Sequence, residues 1–413
     1  MATPELPVPD GLVLRPFRGV RFAVDDPAKV TSPPYDLISD SDVDELLELH
    51  PDNVVRLILP SGSDRRYDQA RDTLQEWLAK GVLVPDDTPG LYVYEQSGPG
   101  VLQRGLIGDV GLADPSQGIV LPHENVMPGP VADRLALMST TQANLEPIFL
   151  LYSGGPDLSM TDEPLVDTQT SDGVRHRLWA VTDPDAIANI NAHLHGKQAL
   201  IADGHHRYAT YRELQRRERA AGRGDGPWDF GLALLVDSDA YPPDLKAIHR
   251  VIPGLALSEA AARAKGAWQV HDFDSLPAGL EALDAAAEPA FLLGGEDGFH
   301  LMADPDPLQL AHAMPAEHSD RWNALNTAVL AEFVLPKVWG MQDDEHSVRI
   351  VHHDAAAAVR LAVETQGTAV ILRALAVGEV LAVAAEGERV PRKSTSFGPK
   401  PRTGLVLRTF DID

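Results

Sequence analysis

The segment at residues 198–214, QALIADGHHRYATYREL, constrains the fold of this chain more than any other stretch. Residues 199–202 form an apolar run of the length of a buried strand, and Asp203 and Gly204 interrupt that run. After this break, apolar side chains recur at the spacing of one helix face: Tyr208, Tyr211 and Leu214. The pattern therefore predicts a strand, a glycine turn and a helix.

The predicted helix start has the features of an anion-binding turn. The first N–H groups of a helix lack intrahelical partners, and the helix dipole places partial positive charge beside them. Gly204 lets a ligand approach the backbone closely, and side chains able to neutralise phosphate follow it: His205, His206 and Arg207. The spacing also fits an ordinary strand-to-helix turn with a polar N-terminus, and local sequence leaves both interpretations open.

Charge and composition exclude several classes of function. The chain carries 61 Asp and Glu against 35 Lys and Arg, and its net charge of −26 disfavours binding to nucleic-acid phosphates. It contains no cysteine, which excludes disulfides, thiolate catalysis and cysteine-ligated metal centres. Neither a signal peptide nor an apolar run of membrane-spanning length is present, so we expect a cytoplasmic protein without a membrane partner.

Strand-like and helix-like patterns alternate along the chain, which predicts an α/β or mixed α+β fold. A length of 413 residues favours two to three domains or one large multilayer body. The individual patterns predict helices at 40–50, 67–80 and 320–334, a hairpin of strands at 91–96 and 104–112, a strand at 53–59, and a polar surface excursion at 157–175.

Two polar segments in the first third of the chain are candidates to complete a site. In the segment at residues 30–38, VTSPPYDLI, two residues each precede a proline and are restricted to extended conformations. This loop therefore either presents Tyr35 and Asp36 in a fixed way or serves as a rigid connector. Further along, His123 and Glu124 directly follow a strand-like run.

A basic segment near the C-terminus contrasts with the acidic remainder of the chain. Residues 392–408, RKSTSFGPKPRTGLVLR, combine cationic and hydroxyl side chains, among them Lys393, Ser394, Thr395 and Lys400. Three interpretations stay open for this segment: a phosphate-binding loop, a clamp between domains, or a solvated basic tail.

Elimination of common motifs leaves phosphoryl transfer as the chemistry that uses these residues coherently. The chain contains no Walker phosphate loop, no GxGxxG after a strand, no HExxH and no GxSxG. Adjacent histidine pairs such as His352 and His353 lack helix-face spacing, so we expect no metal held by protein side chains alone. Phosphoryl transfer needs positioning, charge neutralisation and a carboxylate to take the acceptor proton, with Mg²⁺ bridging carboxylate and phosphates.

The string ADGHHRY at residues 202–208 resembles the hallmark of the domain-of-unknown-function-1015 family (DUF1015). Further strings that resemble this family follow the same order: RPFRG at 15–19, SPPYD at 32–36, HE at 123–124 with DRL at 133–135, and KSTSFGPK at 393–400. The DGHHR region also resembles the ParB/sulfiredoxin-like superfamily, in which the corresponding turn holds nucleotide phosphates, and the archaeal free-serine kinases. The cysteine of the sulfiredoxin turn corresponds to His205 here, so the sulfiredoxin reaction is not expected.

The resemblance implies a division into three parts. A ParB/sulfiredoxin-like nucleotide-binding core is expected at 118–250. An N-terminal α/β segment at 1–117 would pack on this core. A C-terminal α/β region at 251–413 would end in the basic segment.

The resemblance also implies roles for individual residues. Glu124 would be the base toward a hydroxyl acceptor, and Asp203 would hold the substrate or assist proton transfer. The residues implied to bind the phosphates of ATP or ADP, with Mg²⁺, are Gly204, His205, His206 and Arg207. Further candidate site residues are Tyr35, Asp36, His123, Arg134, Lys393, Ser394, Thr395 and Lys400.

Two functions follow as the main hypotheses from this resemblance, beside a third in which the chain is a hydrolase or an enzyme that has lost its activity. The first is a nucleotide-dependent phosphotransferase acting on a small hydroxylated metabolite, as in free-serine kinases. The second is a non-catalytic nucleotide-binding switch of the ParB type that is coupled to a protein partner. At this stage, whether the chain is an enzyme, which acceptor it would use and its oligomeric state all stay open.

Overall fold

One mixed β-sheet organises most of the first half of the chain. A computed structural model describes residues 6–62, 65–344 and 346–412. The contacts group Met1–Pro243 with Pro399–Asp413 as a first unit, and they group Asp244–Gly398 as a second unit. The mixed sheet belongs to the first unit.

The strands of this sheet lie in an order that differs from their order along the chain. Across the described residues the order is Val120–Leu121, Ala199–Asp203, Ile148–Tyr152, Phe230–Asp237, Val101–Gly111, Leu91–Gly98, Arg175–Val181 and Val166–Gln169. Leu14–Arg15 pairs in addition with Val101–Gly111. Two neighbouring pairs are parallel: Val120–Leu121 with Ala199–Asp203, and Ile148–Tyr152 with Phe230–Asp237. The remaining pairs are antiparallel.

Helices and short strand pairs complete the first unit. Its helices are Asp40–Leu49, Val55–Ile58, Arg66–Lys80, Pro128–Thr141, Pro184–Leu194 and His205–Ala220. Its short antiparallel pairs are Val20–Phe22 with Leu83–Pro85 and Ala143–Asn144 with Arg408–Thr409. The helix His205–Ala220 buries Tyr208, Tyr211 and Leu214 in the core on one face of the sheet. The helical spacing in the sequence thus predicted this buried face correctly.

Two predictions for the first unit are wrong because tertiary packing overrides local pattern. Residues 53–59 contain the helix Val55–Ile58 instead of a strand. Val54 and this short helix bury their apolar side chains together with those of the helix Arg66–Lys80. A short apolar run is compatible with either a buried strand or a buried helix, and here it forms a helix. Residues 157–175 include the strand Val166–Gln169, which pairs with Arg175–Val181 and extends the sheet.

A second sheet, entirely antiparallel, forms the centre of the second unit. Its order is Gln269–Phe273, Gly298–Ala303, Phe291–Gly295, Thr368–Ile371, Ile248–Ile252 and Arg349–His352. The helices are Leu257–Ala264, Leu276–Ala285, Pro307–Ala313, Asp320–Ala324, Asn326–Val329, Ala355–Glu364 and Val377–Ala385. Asp244–Lys246 pairs with Ser396–Gly398. Phe291 and Leu293 contact one apolar cluster, and Leu292 contacts another, so both faces of this sheet are covered.

The helix predicted at 320–334 is broken into pieces. Asp320–Ala324 ends at Leu325, whose backbone is extended with φ −64° and ψ 131°. Asn326–Val329 then leads into the π-helix Leu330–Val338. The apolar spacing indicated a helical region but not the break at Leu325.

The predicted mixed α/β class is confirmed, whereas the contacts group the chain differently from the three expected segments. Strands from 1–117 and from 118–250 share one sheet. The last residues, Pro399–Asp413, return to this same unit instead of staying with the C-terminal region. Hydrogen bonding between distant strands, which no local composition reveals, produces this grouping.

Buried His176 makes the stability of the first unit depend on pH. Its Nδ1 lies 2.8 Å from the Tyr94 hydroxyl oxygen, and its Nε2 lies 3.2 Å from the Thr170 hydroxyl oxygen. Burial, assisted by the positive charge of Arg402, lowers the pKa of His176 from 6.5 to about 4. The unfolded chain therefore takes up this proton first, so the stabilisation is complete above pH 6.5 and declines as the pH falls toward 4.

We expect this decline to reach about 3 kcal/mol, and His176→Gln to remove most of it. Denaturant unfolding of both proteins between pH 7 and pH 4 measures the effect as the difference between the declines of their free energies of unfolding. Parallel pH profiles for the two proteins would contradict the assignment to His176.

Candidate functional site

The predicted strand, glycine turn and helix are confirmed at residues 199–220. The strand Ala199–Asp203 ends at Gly204, and the helix His205–Ala220 begins directly after it. Gly204 has φ 92°, in the left-handed region that favours glycine. A Cβ atom at this position would lie 2.9 Å from Cγ2 of Ile148. Glycine is therefore required both for the turn and for the close approach of the neighbouring strand.

The two histidines of the turn hold the segment at residues 123–127 against the helix start. The backbone N–H of His123 donates to Nε2 of His205 at 3.3 Å, and that of Met127 donates to Nε2 of His206 at 3.1 Å. The rings of His123 and His205 also meet edge to face, with centroids 4.6 Å apart. Glu124 is half-buried within this attached segment. The structure thus brings the HE pair to the DGHHR turn.

These hydrogen bonds also restrict what the histidines can offer to a ligand. A ring nitrogen that accepts a hydrogen bond carries no proton, so Nε2 of each ring acts as an acceptor in this arrangement. Donation to a phosphate would have to come from Nδ1. Binding of phosphate by these two side chains stays a prediction, while their attachment of the 123–127 segment is a structural role that sequence reasoning missed.

Arg207 is directed into the protein interior. Its Nη2 lies 2.6 Å from Oδ2 of Asp203, and its Nη1 donates to the carbonyl oxygen of Pro147 at 2.7 Å. Burial alone would lower the pKa of this guanidinium, but the carboxylates of Glu146, Asp203 and Asp36 outweigh burial and raise it. Arg207 is therefore a permanently charged group that organises surrounding carboxylates.

Lys400 joins two of the candidate carboxylates. Its Nζ lies 2.6 Å from Oδ1 of Asp203 and 2.7 Å from Oδ2 of Asp36. Burial disfavours the charged ammonium, but the two carboxylates raise the pKa of Lys400 above its ordinary value. Burial likewise opposes ionisation of Asp36, and Lys400 with Arg207 outweighs it, so the pKa of Asp36 is lowered. Segments that are far apart in the sequence therefore meet in one row of alternating charges.

A second layer of polar groups lies behind this row. The guanidinium of Arg134 lies 4.4 Å from the centre of the Tyr35 ring, and that of Arg207 lies 5.9 Å from it. Oε1 of Glu146 accepts from the Tyr35 N–H at 3.0 Å and lies 3.3 Å from the Thr403 hydroxyl. Burial raises the pKa of Glu146 despite the nearby arginines. Glu146 was missed as a site residue, although a glutamate at the start of a buried strand is a usable signal.

The remaining predicted candidates belong to the second unit. There Nη2 of Arg250 donates to the carbonyl oxygens of Arg392 and Lys393 at 3.1 and 3.0 Å. The Ser394 hydroxyl donates to the Pro391 carbonyl at 2.7 Å, and Thr395 follows it. The basic segment is thus divided: Lys393, Ser394 and Thr395 lie in the second unit, and Lys400 lies in the first.

The described part of the chain has neither a metal-binding cluster nor a membrane-spanning helix. Among residues 6–62, 65–344 and 346–412, no group of three or more His, Asp or Glu side chains is placed to hold a metal ion. Over the same residues, no helix has both the length and the apolar character needed to cross a membrane.

Several solved structures are similar to this chain. A free serine kinase variant in complex with ADP is 13% identical, with 75% of this chain and 94% of that chain covered and a TM-score of 0.39. SbnI with a C-terminal truncation, from Staphylococcus aureus, is 12% identical, with 72% and 85% covered and a TM-score of 0.38. A conserved hypothetical protein from Pyrococcus furiosus is 14% identical, with 75% and 97% covered and a TM-score of 0.36. Similarities this low assign no activity to the chain.

Sequence comparison gives a family but no characterised relative. No curated protein matches the sequence significantly. A family model described as "Protein of unknown function (DUF1015)" matches residues 14–328, which is well over half of the chain. This match shows that the chain belongs to the DUF1015 family.

Proposed function

We propose that the first unit is a nucleotide-dependent phosphotransferase that acts on a small hydroxylated metabolite, with free serine as the first acceptor to test. The observation that carries this proposal is the attachment of the 123–127 segment, with Glu124, to a glycine-led helix start. Phosphoryl transfer depends on holding phosphates and on a carboxylate near the acceptor hydroxyl. This arrangement supports both requirements in one place.

The start of the helix His205–Ala220 is the part of the site suited to phosphates. This helix has 16 residues, so its N–H groups and dipole favour an anion at its start. Gly204 carries no side chain that would obstruct the backbone. ATP or ADP would place its terminal phosphates here. Mg²⁺ bound together with these phosphates would supply further neutralisation of their charge.

Glu124 is our candidate for the general base. It would take the proton of the acceptor hydroxyl as the new O–P bond forms and the bond from phosphorus to the leaving nucleotide oxygen breaks. Asp203 is less suited to this role because Arg207 and Lys400 engage both of its oxygens. We assign Asp203 to holding these two cations.

Incubation of the full chain with ATP or ADP, Mg²⁺ and a mixture of amino acids tests the proposal. We expect a new phosphate ester, detected by phosphorus NMR and identified by mass spectrometry. Nucleotide binding without an ester from any acceptor would contradict the phosphotransferase and favour the nucleotide-binding switch.

A further inference from the structure

The charged side chains at the helix start form a row that runs from the surface inward. The exposed fraction of each side chain falls along this row, from 39% for Asp36 to 18% for Lys400, 12% for Asp203 and 5% for Arg207. Lys400 is therefore the outer cation and Arg207 the inner one. Of the two cations, an anion that approaches from solvent reaches Lys400 first.

The hydrogen-bonding contacts of the two cations also favour Lys400 over Arg207 as the residue that binds an anion. A lysine ammonium has three donors, and Asp36 and Asp203 account for two of those on Lys400. Among the residues that the structure describes, its third donor has no partner. Nη2 and Nη1 of Arg207 contact Asp203 and Pro147, and its Nε has no hydrogen-bond partner within the described part of the chain but is buried, on a side chain that is only 5% exposed. Lys400 can thus add a ligand without giving up a protein contact.

Two buried glutamines fix the backbone that carries Lys400. Nε2 of Gln103 donates to the carbonyl oxygen of Pro399 at 3.2 Å, and Nε2 of Gln96 donates to that of Lys400 at 3.2 Å. The two amides also bond to each other at 3.0 Å. Because buried amides need such partners, these contacts define one position for the lysine backbone.

The neighbouring residues anchor the same segment to the SPPYD loop. Nε of Arg402 donates to the Thr31 hydroxyl at 2.7 Å. Ser32 and Thr403 exchange backbone hydrogen bonds of 3.1 and 2.9 Å. The loop that presents Asp36 and the segment that presents Lys400 are therefore held together as one piece.

We infer that Lys400 is a phosphate-binding residue of this site, with Gln96 and Gln103 as its positioning residues, and that Arg207 holds Asp203 in place. The ligand class is a nucleoside diphosphate or triphosphate bound through its terminal phosphates. The inference rests on the proposed phosphate site but does not require turnover. Because the row Asp36, Lys400, Asp203 and Arg207 is balanced in charge, removal of the ammonium would leave a net negative charge facing the phosphates.

Calorimetric titration with ADP, and with adenosine as a probe without phosphates, tests this role. We expect Lys400→Met to weaken ADP binding by about ten- to a hundredfold, since it removes a charge-assisted hydrogen bond. Adenosine binding should not change. Lys80→Met is the matched control, because Lys80 is a 65% exposed lysine of the same unit that pairs with Glu76. It should leave both affinities unchanged.

The positioning role has its own measurement. Gln96→Leu should also weaken ADP binding, but it should have no further effect when combined with Lys400→Met, because it acts through Lys400. If Lys400→Met does not fold, as judged by thermal unfolding, Gln96→Leu with the two probes decides the question alone.

Each outcome separates this inference from the proposed activity. Unchanged ADP affinity in Lys400→Met, or an equal loss for adenosine, would overturn the role of Lys400. Failure of the wild-type chain to bind ADP would overturn both proposals. ADP binding that depends on Lys400, with no phosphate ester formed from any acceptor, would remove the activity and leave this inference standing.

Discussion

We expect Glu124→Gln to retain nucleotide binding and to lower the rate of the proposed phosphoryl transfer by about 10²–10⁴-fold, the contribution of a general base. Glutamine keeps the size of the side chain but cannot take the proton of the acceptor hydroxyl. The backbone on both sides of Glu124 is fixed by hydrogen bonds to His205 and His206, so the substitution should not displace the segment. The loss should therefore fall on the rate and not on affinity.

Single-turnover transfer and equilibrium nucleotide binding, measured on the same preparation, separate these two quantities. Glu45→Gln is a suitable control because it removes the same charge from an exposed position on the helix Asp40–Leu49. Full transfer activity in Glu124→Gln would exclude Glu124 from the mechanism. A parallel loss of binding would instead indicate a structural role.

Arg408→Met should destabilise the first unit by about 3–5 kcal/mol, the cost of breaking a buried ion pair by removing one partner. Arg408 and Asp109 are both fully buried, with Nε of the arginine 2.6 Å from Oδ2 of the aspartate. The guanidinium also donates to Asn144 and to the Pro227 carbonyl oxygen at 3.0 and 2.9 Å. Arg15 still lies 3.0 Å from Asp109, which limits the loss but does not replace these contacts.

Denaturant unfolding measures this cost directly. The double variant Asp109→Asn with Arg408→Met should recover part of the stability, because it no longer leaves a buried carboxylate with too little compensation. Arg175→Met provides the comparison, since its pair with Asp167 is half exposed and should contribute no more than about 1 kcal/mol. An Arg408→Met effect as small as that of Arg175→Met would contradict the argument.

The buried Arg408–Asp109 pair also matters for the site. Arg408 lies in the strand Arg408–Thr409, which pairs with Ala143–Asn144 and anchors the segment that carries Lys400. Weakening this anchor should therefore reduce the order of the site. Nucleotide affinity measured on Arg408→Met under conditions where it is folded would register that effect.

Local patterns predicted much of the first unit correctly. The hairpin at 91–112 appears as Leu91–Gly98 paired with Val101–Gly111. The helix Arg66–Lys80 ends at Gly81, whose φ of 73° suits glycine. In each case a few adjacent residues determine the element, either through the spacing of their apolar side chains or through the backbone freedom of glycine. The failure at 53–59 is an apolar run, in which burial on several sides hides the period, and at 320–334 the spacing indicated a helical region but not the break at Leu325.

The sequence by itself determined the strand, glycine turn and helix at 199–220. The spacing of apolar side chains and the backbone freedom of Gly204 each act over a few neighbouring residues. The sequence also identified the SPPYD and HE segments and Lys400, which meet there, but it grouped Lys400 with Lys393, Ser394 and Thr395, which lie in the second unit. Only the tertiary structure decided the partners: Asp203 binds Arg207 and Lys400, Glu146 lies buried behind them, and the histidines hold the segment of Glu124. The physical reason is that charge pairing and burial depend on distance in space. The folded sheet, not the order of the residues, sets that distance.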